Sequence, residues 1–269
     1  MRNGSTPHGT IAELPDSLAC EQQGEIVILR LNRPGKANAL DDRTVQALGA
    51  FLEHPPREAK AIVLAANGKH FSAGLDLADV SGMTTRENII HSRSWHKAFE
   101  AVEFGALPVV AVLHGAVIGG GLELAAATHV RVAESSAYYA LPEGQRGIFV
   151  GGGGSVRLPR LIGTSRMMEM MLTGRTYGAE EGLALGLSHY LVGDGGGLEM
   201  GIALARKIAA NSALTNYAVM HALPRIAEAA PSSGYMFETL MAAITQGDEE
   251  AKARKQAFLE KRAAKVKHG

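Results

Sequence analysis

Two carboxylates, Glu123 and Glu143, are the residues of this chain best suited to acid–base chemistry, and each has a glycine cluster beside it. Gly119, Gly120 and Gly121 precede Glu123, and Gly151 to Gly154 follow Glu143. One carboxylate kept ionised and a neighbour kept protonated can divide a proton removal from a proton delivery, because like charges held close do not both ionise. A glycine turn feeding a helix leaves backbone N–H groups pointing outward, with the positive end of the helix dipole behind them. Such a turn suits an oxyanion. The spacing permits the two glutamates to meet without requiring it. Read alone, Glu123 is better taken as a first-turn carboxylate worth about 0.3–1 kcal/mol against the dipole, and Glu143 as a loop residue.

The elements that must position these groups follow from apolar runs and their breakers. Val109 to Leu113, after Pro108, reads as a buried strand ahead of the glycine turn, and Leu122 to Ala127 as a helix. His129 to Ala133 reads as a strand that returns the chain toward Glu143. Upstream, Leu18 to Gln22 and Ile26 to Leu31 suggest a hairpin turning at Gln23-Gly24. Asp41 or Asp42 can cap a helix that buries Val45, Leu48 and Leu52. Ala61 to Ala65 is another buried strand, running into the polar loop Asn67 to Leu77, and a helix is expected from Thr84 or Thr85 to Phe104. Strand then helix, three times over, predicts a parallel α/β core.

Downstream, Ser165 to Leu172, Ala179 to Leu185 and Leu198 to Asn211 read as helices, with Leu187 to Val192 a strand among them. From Leu214 on the pattern is helical: Leu214 to Ala230 with breaks near Pro224 and Pro231, then Tyr235 to Ile244, and Glu249 to Lys265. The expected organisation is a disordered lead-in over 1–17, an α/β core over 18–195 and a helical lobe over 196–269. That lobe has apolar faces suited to another subunit.

Composition narrows the function classes. Lys+Arg and Asp+Glu are equal at 27 each, unlike the basic footprint of a nucleic-acid binder. The single cysteine, Cys20, precludes an intrachain disulfide and a cysteine-rich metal site, and fits a reducing, cytoplasmic compartment. No apolar run approaches the roughly 20 residues that span a bilayer, so neither a metal nor a membrane is expected.

Four motifs carry a resemblance: FSAGLDL (71–77), HGAVIGGGLELA (114–125), PEGQRGI (142–148) and GGSVRLPRLIG (153–163). With NRPGKANAL and LTGRTYGAEEGLALGL, they make nearly the whole chain resemble the crotonase superfamily, the enoyl-CoA hydratase/isomerase family. The resemblance implies a spiral of repeated ββα units, a C-terminal α-helical trimerisation lobe and a homotrimer or homohexamer. It implies an acyl-CoA thioester as substrate, with no cofactor beyond the coenzyme A the substrate carries. It places an oxyanion hole at the backbone N–H groups of Leu75 and Gly120, and catalysis at Glu123 and Glu143. Coenzyme A is expected along Lys36, Ala37, Ala39, Ala73, Asp76, Leu77 and Ala78, and the acyl wall at Gly119, Arg146 and Gly151.

Having both glutamates favours hydration, with Glu143 protonating the α-carbon and Glu123 activating water. Each N–H on the thioester oxygen would be worth about 3–4 kcal/mol. Gly151 stands where a dienoyl-CoA isomerase would carry an extra acid. The chain departs from the usual pattern at Gly144, Arg146 and Val150, which leaves open a substituted acyl group such as methylthioacryloyl. Thioester hydrolysis, double-bond isomerisation and non-catalytic acyl-CoA or RNA binding are the competing readings. A Ser72/His114/Asp76 triad can be drawn but has no support in spacing. Met167, Met168, Met170 and Met171 read as packing, and 252–267 as an exposed helix.

Overall fold

A computed structural model describes residues 14–260. Within them the chain forms two compact units, one up to Lys207 and one from Ile208 on. The first is α/β. Strands β1 (Leu18–Gln23), β2 (Ile26–Leu31), β3 (Ala61–Ala66), β4 (Val109–Leu113), β6 (Val130–Glu134) and β9 (Tyr190–Val192) make one sheet in the order β1-β2-β3-β4-β6-β9. Only the β1–β2 pair is antiparallel. β3 and β4 are apolar almost throughout, as befits strands covered on both faces.

A second sheet, absent from the sequence reading, joins β5 (Ala116–Ile118), β7 (Tyr138–Ala140) and β8 (Tyr177–Gly178). It gives the fold its repeat. After β4 and β6 the chain makes a short pairing in the small sheet before the next α-helix. β4 leads to β5 and to α3 (Gly120–Ala126), and β6 leads to β7 and to α4 (Gly154–Ile162). β3 leads to a single bridge, Ser72 to Val117, and then to α2 (Thr85–Phe104). This is the ββα spiral the resemblance implies.

Helix starts follow the capping rules. Asp41 accepts from the Thr44 N–H at the head of α1 (Asp42–Glu53), and Thr84 and Glu87 form a capping box on α2. α4 contains Pro159, and its Gly-Gly start and internal proline hid it from the sequence reading. α5 (Thr164–Thr173) buries Met167 and Met170, but Met168 is exposed, so the packing role expected of all four methionines is wrong for that one. The strand expected over Leu187 to Val192 is only its last three residues. α6 (Ala179–Leu185) and α7 (Gly197–Ala209) match their expected places.

In the second unit, α8 (Ala213–Tyr217) runs through a π-helical stretch, Ala218–Ala222, into α9 (Leu223–Glu228), so the break falls just ahead of Pro224. α10 (Pro231–Gly247) and α11 (Glu249–Leu259) follow. The remainder of the expected last helix, beyond residue 260, lies outside the described residues, as do positions 1–13 of the lead-in. Pro15 to Ser17, expected in that lead-in, form an ordered turn: Leu18 N–H donates to Pro15 O, and Asn32 N–H to Ser17 O.

Candidate active site

The loop after β2 and the loop after β3 are laced together, and this lacing sets the position of Leu75. Asn38 Nδ2 donates to Asn67 O and His70 O, and Ser72 Oγ donates to Asn38 O. Leu40 N–H donates to Gly74 O and Asp76 N–H to Leu40 O, so the backbone flanking Leu75 is fixed on both sides. The Leu75 N–H donates to no protein acceptor among the described residues. The Gly120 N–H, at the first position of α3, is free in the same sense.

These two donors are neighbours in space. Gly74 has φ +88°, and a Cβ placed on it would lie 2.7 Å from Ile118 O and 3.1 Å from Gly120 N, so only glycine lets the two loops approach this closely. A corner with two outward N–H groups from separate segments is built to hold an oxyanion.

Both glutamates open onto the cavity beside that corner. The cavity encloses about 390 Å³ and is lined by Ala73, Leu75, Gly119, Gly120, Glu123 and Glu143 among others. Glu123, 3% exposed, projects from the first turn of α3, and its Oε1 accepts from Gly152 N–H at 2.8 Å and Gly154 N–H at 2.7 Å. Burial pushes its carboxyl up, and those N–H groups pull against it. Glu143, 7% exposed, sits just after β7 at the start of a 3-10 turn, Gly144–Arg146, and its Oε2 is buried with no hydrogen-bond partner among the described residues. Burial raises its carboxyl to about 7, and the nearby Glu123 charge adds to the rise.

Of the other residues singled out in the sequence, Gly119, Arg146, Gly151, Ala73 and Leu77 also line the cavity. Lys36, Ala37, Ala39, Asp76 and Ala78 do not line it. They belong to the two laced loops that lead away from it. Asp76, expected to act by position, is an ion-pair centre: its Oδ2 accepts from Arg33 Nη2 at 3.0 Å and Lys36 Nζ at 3.1 Å. The Lys36 bond, assisted by Arg33, holds the Asp76 carboxyl below the usual range. The drawn triad dissolves, since Ser72 Oγ is spent on Asn38 O and His114 Nε2 sits 3.0 Å from Gly68 O.

One wall was missed. Asn88, His91, Ser92 and Trp95 of α2 face the cavity, four positions spaced three and four apart on one helical stripe. Polar residues such as Arg86, Glu87, Ser94 and Lys97 also stud this helix, so the spacing of the four gave no local signal. Ser92 Oγ donates to Gly151 O at 2.7 Å, pinning the glycine loop to α2. Trp95 Nε1 donates to Asp42 Oδ1 at 2.8 Å, and its ring rests on Gly120, 2.9 Å from where a Cβ would stand. His91 Nε2 also lies 2.8 Å from Asp42 Oδ1, at an angle that falls short of a hydrogen bond. Ile148 and Phe149 complete the wall as exposed apolar side chains. Among the described residues no cluster of His, Cys, Asp and Glu could hold a metal ion, and no helix is long and apolar enough to cross a membrane.

Known proteins give this geometry a setting. A profile of the enoyl-CoA hydratase/isomerase family matches residues 21–268. The chain is 32% identical over 255 residues to a Bacillus subtilis protein named "Probable enoyl-CoA hydratase", covering 93% of this chain and 98% of that one. It is 28% identical over 250 residues to the short-chain-enoyl-CoA hydratase of Clostridium acetobutylicum, covering 92% and 96%. A solved structure from Rhodopseudomonas palustris CGA009, provisionally named an enoyl-CoA hydratase, superposes with a TM-score of 0.90 at 52% identity, over 96% of this chain and all of that one.

Proposed function

The chain belongs to the enoyl-CoA hydratase/isomerase family of the crotonase superfamily, and we propose that within it this protein is a hydratase, adding water across the 2,3-double bond of an enoyl-CoA thioester. The observation that carries this reading is the unequal pair of buried carboxylates on one cavity, beside two backbone N–H groups with no protein acceptor.

In the proposed reaction the thioester oxygen lies against the Leu75 and Gly120 N–H groups. As water adds to C3, negative charge moves through C2 onto that oxygen, and each fixed donor lowers the barrier by about 3–4 kcal/mol. Glu123, whose Oε1 is held by two N–H groups, takes the proton that water gives up. Glu143, protonated up to about pH 7, delivers its proton to C2. The two carboxylates exchange states in one turnover, and the product keeps its coenzyme A. Coenzyme A itself is read as running along Lys36 to Ala39 and Ala73 to Ala78, held mainly by backbone.

Loss of the enoyl-thioester absorbance of crotonyl-CoA, with a thiol assay on the same samples, tests the reading. Hydration without free thiol supports it. Free thiol released by the wild type would replace it with hydrolysis, and silence across a panel of enoyl thioesters would end it. The helical second unit is read as the means of self-association, since Tyr235, Met236, Phe237 and Leu240 are each at least half exposed on α10; the molecular mass in solution tests that.

A further inference from the structure

Behind Glu123, away from the reacting atoms, a charged side chain is buried that the hydration chemistry does not use. Arg157, on α4, is 8% exposed. Its Nε donates to Glu103 Oε2, near the end of α2, at 2.6 Å, and its Nη1 donates to Gly152 O at 3.1 Å. Gly152 is also one of the two residues whose N–H groups hold Glu123 Oε1. One glycine therefore carries the base on its N–H and the guanidinium on its carbonyl.

The run Gly151 to Gly154 has no side chains of its own to fix its orientation. What holds it is external: Ser92 Oγ on Gly151 O, Arg157 on Gly152 O, and the Arg157 N–H returning to Gly153 O at 3.1 Å. A buried ion pair is weak evidence for stability, because well-packed apolar residues serve as well or better. Apolar residues cannot grip a carbonyl or place a positive charge behind a carboxylate.

We propose that Arg157, held in place by Glu103, is a positioning residue for Glu123: it clamps the Gly152 carbonyl so that the Gly152 and Gly154 N–H groups stay on Oε1 and the carboxylate faces the cavity as a base. Burial pushes the Glu123 carboxyl up; the N–H groups of the loop, and then the Arg157 charge, pull it back. Other titratable and charged groups around this set include Glu143 on the cavity, Arg93, His96 and Glu100 on α2, Arg131 on β6, and His129, whose Nε2 lies 3.0 Å from Glu103 O.

The test is a titration of the full-length protein carrying 13C-labelled glutamate carboxyls, with the Glu123 signal assigned by its loss in E123Q. R157M is expected to raise the Glu123 pKa by about one pH unit, as loss of a nearby opposite charge does, and R157K to restore most of it. E103Q is expected to move Glu123 the other way, since it removes the negative charge that offsets Arg157. A purely structural role predicts no such opposition of sign. In kinetics, R157M should lower kcat about tenfold or more with KM little changed, and move the acid limb of the pH profile upward.

Only this kinetic arm rests on Glu123 being the base of a hydratase. If the titrations behave as stated and no enoyl thioester is hydrated, the hydratase reading fails and the clamp stands. If Glu123 titrates identically in R157K, E103Q and wild type, or if R157M and E103Q shift it in the same direction, the clamp is wrong. E103Q preserves shape and R157K preserves charge, so both remain informative should R157M fail to fold.

Discussion

Glu123 and Glu143 share one cavity but not one hydrogen-bonding state: Oε1 of Glu123 holds two backbone N–H groups, while Oε2 of Glu143 is buried with no partner among the described residues. N–H donors favour an anion and apolar burial favours a neutral acid. Burial raises both carboxyls and the pair titrates as a unit; the N–H groups on Glu123 offset its burial, while the Glu123 charge adds to the rise of Glu143.

Hydration should accordingly weaken as pH rises. With the Glu143 carboxyl raised to about 7, the acid form is lost above that value, and kcat/KM for crotonyl-CoA hydration should fall on the alkaline side of an apparent pKa near it. E143Q should abolish this limb along with most of the rate, a loss of about 10²–10⁴-fold for a positioned acid. A full pH–rate profile of the two proteins checks both.

The same shift has a consequence for stability, with a definite sign. A carboxyl raised from 4.5 to about 7 in the fold costs nothing below its unfolded pKa. The cost then grows as pH climbs from about 4.5 to 7 and levels off above. E143Q removes the cost, so it should stabilise the protein by at most about 3 kcal/mol at pH 8 and by nothing at pH 4. Denaturant unfolding at the two pH values measures this.

E123Q keeps the shape of the side chain but supplies no base. We expect a loss of about 10²–10⁴-fold in kcat with KM nearly unchanged, read from single-turnover hydration. Because Oε1 of Glu123 accepts the N–H groups of Gly152 and Gly154, the amide oxygen can keep one role while the charge is lost.

Gly119 has φ +52°, and a Cβ there would stand 2.6 Å from Glu143 Oε1. G119A should therefore displace the acid and strain the turn together, costing about 1–3 kcal/mol of stability and at least tenfold in hydration. Thermal unfolding and the crotonyl-CoA assay on one preparation separate the two losses.

Arg131 is buried with no carboxylate beside it among the described residues; Nε, Nη1 and Nη2 donate to the carbonyls of Leu187, Thr128 and Gly186. Burial lowers its pKa to about 10. R131M strands those carbonyls in the interior, and a loss of about 2–4 kcal/mol is expected, with hydration by the folded fraction unchanged. Chemical denaturation followed by activity at low denaturant checks this.

The large elements were legible because long apolar runs and caps announce themselves: β3, β4, α1 and α2 lie where their residues predict. The second sheet was not, because strands of two or three residues such as Tyr177–Gly178 carry no period. α4 was hidden by its own Gly153-Gly154 start. Both glutamates and the glycine corner could be singled out from residue type and spacing. Asn88, His91 and Ser92 could not, since nothing local tells which face of a helix will meet a cavity built by distant loops. Arg157 was read only as part of a motif; its partner Glu103 lies 54 positions away on another helix, a distance at which sequence gives no pairing signal.

Trp95 is the only tryptophan in the chain, and its ring packs on Gly120 at the corner where the two free N–H groups meet. The protein thus carries a native optical reporter at the point where a thioester oxygen would dock. Emission from this one indole, read without any introduced label, can follow occupancy of that corner by a non-reacting acyl thioester, and so separate binding from turnover in every variant named above.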